Sequence, residues 1–344
     1  MTFDLITMGR VSVDLYPLQS GVRLEDVESF GKYLGGSPTN VAVAAARHGD
    51  RAAVVTRTGA DPFGRFVHRK LAEYGVDDRF VTAVPGLPTP LAFCEVFPPD
   101  DFPLYFYRHP KAPDLEIRPN ELDLDAIAAA RIFWATVTGL SQEPSREATL
   151  AALAAHPGTT VLDLDWRPMF WESPEEAGDL VARALEHTTV AVGNLDECEV
   201  AVGEREPRAA ARALLDRGVS VAIVKQGPRG TLAASADGFV EVPPTPVEVV
   251  NGLGAGDAFG GAVCHGLLRG WDLERIVRFA GAAGAIVASR LACADAMPDS
   301  GEVERLLAAT AATDSTDATD PADAADVIHA IHAIDGTHDK ESTV

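Results

Sequence analysis

Residues 189–225, TVAVGNLDECEVAVGEREPRAAARALLDRGVSVAIVK, contain the pattern that decides the fold. The runs at 189–193 and 219–225 are short, apolar and rich in β-branched residues, which predicts strands. Between them, residues 208–217 set Ala and Leu at helical spacing. Two strands joined through a helix run parallel, because a tight hairpin only reverses the chain. The same alternation extends outward. Strands are predicted at 3–9, 52–57, 131–137 and 160–165, and helices at 40–48 and 145–155. The expected fold is α/β: a doubly wound, mainly parallel sheet with helices on both faces, whose ligands collect beyond the carboxyl ends of the strands.

Two segments break the alternation. Residues 11–34 and 91–108 lack helix periodicity, carry Pro and Gly punctuation, and contain the strand-like runs 91–97 and 104–107, which predicts a small separate β-sheet. The main domain is expected to span 1–310. Residues 311–344 are rich in Ala, Asp and Thr and poor in large apolar residues, so an acidic, disordered tail is expected, with a short amphipathic helix available at 325–334. The chain of 344 residues is 47% apolar, enough for a sizeable core, and its net charge is −22. That charge argues against nucleic-acid and anionic-membrane partners, which it would repel. Cys94, Cys198, Cys264 and Cys293 are widely spaced without a C-x-x-C pair, so buried free thiols are expected rather than zinc ligands or disulfides. No apolar run reaches membrane-spanning length, and the first residues read as a strand entering a turn. A cytoplasmic protein is expected.

The chemistry concentrates in a few segments. Gly254-Ala255-Gly256-Asp257 sets small residues directly before an apolar helical run. Their amides can approach an anion at a helix start, with Asp257 beside them. Phosphoryl transfer needs that pairing: donors for the moving phosphoryl group and a carboxylate for the attacking hydroxyl. A glycine-rich turn with an acidic helix start would be spelled the same way. Gly35 and Gly36 precede Asn40, whose amide can contact a hydroxylated ligand or cap a helix. Asp14 can accept sugar hydroxyls or hold a turn before Pro17. Asn194 and Glu197 lie one helical turn apart, either as a helix cap with an acidic first turn or as an outer-shell site for hydrated Mg2+. Lys225, Gly227 and Gly230 end another strand, where nucleotide phosphates or a plain hairpin turn belong. Arg108, Lys111 and Arg167 are candidates for a substrate carboxylate or the transferring phosphate.

Taken together and in this order, these segments resemble the ribokinase or PfkB family of carbohydrate kinases, over roughly residues 3–307. The resemblance implies a ribokinase-like core with a small β-sheet lid, ATP as donor and Mg2+ as cofactor. It implies Asp257 as catalytic base, with Gly254, Ala255 and Gly256 as the anion hole. Asp14, Gly35, Gly36 and Asn40 match sugar-binding positions, while Asn194, Lys225, Gly227 and Gly230 match the nucleotide side. Asn194 and Glu197 match the metal side, Glu197 acting through water. Within the family, the runs at 8–19 and 105–114 are similar to the branch that acts on 5-dehydro-2-deoxygluconate, and Asp163-Leu164-Asp165-Trp166-Arg167 resembles the acid-sugar kinases. The implied partners are ATP and a small sugar acid, with Arg108, Lys111 or Arg167 for its carboxylate. The alternatives are a kinase of 2-keto-3-deoxygluconate or fructose, and a non-catalytic sugar or nucleotide sensor. Relatives often pair through their lids, and exposed apolar residues in 91–106 would favour such a homodimer, although the sequence does not establish the oligomer. Asn251-Gly252-Leu253 stands where many relatives have Asp-Thr, which leaves a monovalent cation unassigned.

Overall fold

The computed structural model describes residues 2–315. The central strand β1 (Leu5–Met8) lies between β4 (Ala52–Gly59) and β8 (Ile132–Thr136) and is parallel to both. Beyond β4 the sheet ends with parallel β5 (Val81–Val84). Beyond β8 come β9 (Thr159–Asp163), β10 (Val190–Asn194) and β11 (Val221–Lys225), all parallel, then the antiparallel edge hairpin β12 (Thr231–Ser235) and β13 (Gly238–Val242). The chain thus winds outward from β1 in two directions. A crevice opens beyond the carboxyl ends of β1, β9, β10 and β11.

Alternation along each strand divides the core into two layers. Leu5, Val54, Ile132, Trp134 and Ile223 face one side, under α1 (Ser37–Arg47), α2 (Pro62–Glu73), α8 (Ala255–Leu268), α9 (Leu273–Ala288) and α10 (Ser300–Ser315). Ile6, Ala53, Phe133, Leu162 and Val224 face the other, under α3 (Leu124–Ala129), α4 (Ser145–Ala155), α5 (Pro174–Leu185), α6 (Leu195–Val202) and α7 (Pro207–Asp216). The helix expected at 145–155 coincides with α4. By contrast, α1 begins at Ser37, before the expected residue 40. Pro38 fits a first helical turn because its missing N–H would have no partner there, and Gly36, at φ 99°, turns the chain into it. Helix α10 carries the domain past Thr310 to Ser315, with Val303 and Leu306 buried. The remainder of the expected tail, 316–344, including the helix read at 325–334, lies outside the described residues.

The second sheet has the order β3 (Phe30–Gly35), β2 (Ser12–Pro17), β6 (Leu91–Cys94), β7 (Leu104–Tyr107). Its outer pairs are antiparallel and β2 runs parallel to β6. Along β7, Leu104 and Phe106 line the crevice, while Tyr105 and Tyr107 face solvent at 42% and 60% exposure. The four cysteines are free and buried, as expected. No helix among the described residues is long and apolar enough to cross a membrane.

Candidate active site

Helices α1 and α8 lie side by side because both present small residues at their contact. A Cβ on Gly261 would come within 2.4 Å of Ala44 Cβ, so any larger residue would push the helices apart. This closeness brings their amino-terminal turns together. Asn40 Nδ2 donates to Asp257 Oδ2 at 2.8 Å. Asn40 is inside the first turn of α1 and is not its cap, and its buried Oδ1 has no partner among the described residues. An acceptor left open beside a carboxylate suits a ligand hydroxyl.

Gly254, at φ 82°, is the N-cap of α8, and Ala255, Gly256 and Asp257 form its first turn. Helix geometry leaves the amides of Ala255 and Gly256 without intrahelical acceptors, at the positive end of the helix dipole. Burial pushes the Asp257 carboxyl above its ordinary range, and hydrogen bonds from Asn40 and Ser37 and the charge of Arg10 do not cancel that effect. A carboxylate raised in this way is suited to accept a proton.

The cleft between the lid and the strand ends is lined by Arg10, Asp14, Gly36, Asn40, Asp163, Asp165, Arg167, Asn194, Glu197, Lys225, Gly254, Gly256 and Asp257, with Tyr16 and Phe106 from the lid. Parallel strands explain the gathering: β9, β10 and β11 end on Asp163, Asn194 and Lys225 at the same edge. Ser12, Asp14 and Tyr16 alternate along β2 onto one face, where Ser12 Oγ and Tyr16 Oη donate to Asp14 at 2.6 and 3.1 Å. Tyr16 Oη also lies 2.6 Å from Cys293 Sγ. Burial holds the Asp14 carboxyl above its usual range despite these donors.

Asn194 and Glu197 form a reciprocal capping box: the Asn194 amide donates to Glu197 Oε2 at 2.7 Å, and the Glu197 amide to Asn194 Oδ1 at 2.9 Å. This is the helix cap with an acidic first turn, and both residues also line the cleft. Glu197 Oε1 accepts no hydrogen bond among the described residues. Burial raises Asp163 above the ordinary carboxylate range, with Asp165 and Glu197 adding to it against the pull of Lys225. Lys225 is depressed by burial but raised more by Glu197, Asp163, Asp257 and Asp165. Three cations, Arg10, Arg167 and Lys225, thus face five carboxylates, Asp14, Asp163, Asp165, Glu197 and Asp257. That excess fits a divalent cation. Among the described residues no cluster of three or more His, Cys, Asp or Glu side chains could hold one directly.

Several expected residues lie elsewhere. Arg108 Nη2 donates to Asp114 at 2.6 Å and the guanidinium covers the Phe170 ring, while Lys111 Nζ bonds the Glu143 carbonyl and pairs with Glu116, both at 2.7 Å. Both residues line a pocket that adjoins the cleft at Leu104 and Phe106, with their charges paired there. Gly35 does not line the cleft but backs Asp14, whose Oδ1 a Cβ would meet at 2.0 Å. Ala255 contributes as the first residue of α8. Gly227 and Gly230 bracket the turn after β11, where a Cβ on Gly230 would meet the Val242 carbonyl at 2.1 Å. Asn251 is fully buried and bonds the Leu291 carbonyl at 2.7 Å. Arg10 was not singled out in the sequence. The available signal was its place directly after β1, at the point where the sheet order divides.

Residues 2–300 match the pfkB family carbohydrate kinase. A 5-dehydro-2-deoxygluconokinase of Geobacillus kaustophilus (strain HTA426) is 34% identical over 313 residues, covering 88% of this chain and 93% of that protein. Among solved structures, an E. coli protein described as ribokinase II, in complex with ATP and Mg2+, superposes with a TM-score of 0.82 at 25% identity, covering 90% of this chain and 99% of that one. A fructokinase with bound ATP from Xylella fastidiosa gives a TM-score of 0.79 at 26% identity, covering 90% and 99%. The fold, the helix-start loop and the family match agree: this chain belongs to the pfkB family of carbohydrate kinases.

Proposed function

We propose that the protein transfers the γ-phosphoryl group of ATP to the terminal hydroxyl of 5-dehydro-2-deoxy-D-gluconate, giving the 6-phosphate, as a step of inositol catabolism. The observation that carries the reaction is the Asn40–Asp257 pair at the open amides of α8. Asp257 takes the proton of the attacking hydroxyl, which Asn40 Oδ1 and Asp14 help to orient. The Ala255 and Gly256 amides and Lys225 stabilise the charge that develops on the moving phosphoryl group. Mg2+, held through water by Glu197 with Asn194 and Asp163 nearby, would neutralise nucleotide phosphate charge. The lid, with Tyr16 and Phe106 over the cleft, excludes water that would otherwise compete for the phosphoryl group.

The relatives' names and the resemblance of 8–19 support this acceptor over other sugars. Purified protein with ATP and Mg2+ should form ADP fastest with 5-dehydro-2-deoxygluconate, slower with 2-keto-3-deoxygluconate and slowest with fructose. Preference for fructose would overturn the acceptor, and no turnover with any sugar would favour a sensor. Exposed Tyr105 and Tyr107 on the outer lid face support a homodimer through the lids. Light scattering should then give twice the chain mass, and a monomer at micromolar concentration would remove this interface.

A further inference from the structure

The cleft contains a charge cluster that joins Arg10 to Asp165 and Arg167, two residues of the Asp163–Arg167 run. Asp165 is 3% exposed and stands between two guanidiniums. Its Oδ2 accepts from Arg10 Nε and Nη2 at 3.3 and 3.0 Å and from Thr138 Oγ1 at 3.1 Å, while its Oδ1 pairs with Arg167 Nη2 at 2.8 Å. Two cations therefore share one anion, which leaves a positive charge without a contacting partner. Among the described residues no hydrogen bond or ion pair engages Nη1 of either arginine. Both residues line the cleft. A guanidinium pinned along one edge keeps donors on the other, and these match the two oxygens of a carboxylate.

The surroundings select the kind of anion. Arg10 lies over Phe106 at 5.9 Å, so one side of the guanidinium is closed by an aromatic ring. Asp14 and Asp257 are near enough to bias its charge. A dianionic phosphate there would meet both carboxylates, whereas a monoanionic carboxylate adds less repulsion and is planar. Nucleotide phosphates have their own donors at the start of α8 and at Lys225, 3.4 Å from where a Cβ of Gly256 would stand.

We propose that Arg10 and Arg167, held back to back by Asp165, receive the acceptor's carboxylate, and that Arg10 selects sugar acids over neutral sugars. The inference rests on the reading of the acceptor as a sugar acid. It reassigns the carboxylate from Arg108 and Lys111, whose charges are matched elsewhere, and makes Asp165 a positioning residue.

The test compares wild type with Arg10→Gln and Arg10→Lys, using 5-dehydro-2-deoxygluconate and fructose as acceptors. In Arg10→Gln the ratio of kcat/KM for the acid to that for the neutral sugar should fall by about 100-fold or more, mainly through KM, since an unpaired or missing polar partner discriminates strongly. Arg10→Lys keeps the charge without the fork and should recover part of the ratio. If fructose turns over too slowly, calorimetric binding of gluconate against gluconamide, which differ only at the carboxyl group, supplies the same ratio. Equal loss for acid and neutral ligands, or an unchanged ratio, would overturn the inference. A wild type that does not favour acids would instead defeat the acceptor reading, before any variant is compared.

Discussion

Asp257→Asn is expected to lower kcat by about 10²- to 10⁴-fold, the usual contribution of a general base, with ATP affinity nearly unchanged. Asparagine fills the same volume and leaves the α8 amides in place, so the substitution removes proton acceptance and little else. The pH profile gives a second readout. Because burial raises the Asp257 carboxyl, wild-type activity should climb with pH through an inflection above the ordinary aspartate value of about 4. That acid limb should vanish from the residual activity of the variant. Stability should move the opposite way from activity. A raised folded-state pKa contributes stability below the unfolded value and loses it as pH rises through the folded one, so ionised Asp257 is a cost near neutrality. The variant should melt no lower than wild type at pH 7. Turnover near the wild-type level would remove Asp257 from the proton transfer.

Gly254→Ala should be nearly as damaging, for a steric reason. Gly254 has φ 82°, where a side chain costs about 1–2 kcal/mol in backbone strain. Its Cβ would also fall 2.6 Å from Cys293 Sγ, 2.8 Å from Cys293 Cβ and 3.1 Å from Cys293 Cα. Either the start of α8 or the Cys293 segment must shift. The first displaces the amides of Ala255 and Gly256, and the second disturbs Tyr16, whose hydroxyl touches Cys293 and Asp14. A loss of about 10²- to 10³-fold in kcat is expected, comparable to removing an oxyanion donor. Adding Cys293→Ala should not restore activity, because the clash at Cβ and Cα remains. Steady-state kinetics of the single and double variants check both statements, and wild-type kcat in Gly254→Ala would mean that this loop does not hold the phosphoryl group.

What the sequence disclosed depended on whether a signal was local. β7 and α4 were legible to the residue, because alternation and helical periodicity are carried within each segment. Strand β12 was not read: TLAAS is rich in alanine, which has weak strand preference, and its pairing with β11 and β13 decides its state. The Gly254 to Asp257 loop was legible as chemistry, yet its link to Asn40 spans 217 positions and arises from close packing of α1 on α8. Arg10 shows the same limit, since its partner Asp165 lies 155 positions away. Arg108 was singled out as a cation for a substrate carboxylate, and its pairing with Asp114, six positions on, could not be read from that role. For Asn194 and Glu197 the local pattern disclosed the cap, while their place on the cleft depends on where β10 ends in the sheet.

On the proposed reading, this cleft moves the γ-phosphoryl group of ATP onto the terminal hydroxyl oxygen of a sugar acid. Phosphorus NMR of a complete reaction with wild-type protein, ATP, Mg2+ and 5-dehydro-2-deoxygluconate tests it most directly. The γ-phosphorus signal should be replaced in equal amount by a phosphomonoester resonance split by the two methylene protons at C6. A doublet from a secondary alcohol ester, release of inorganic phosphate alone, or an unchanged ATP spectrum would contradict the account.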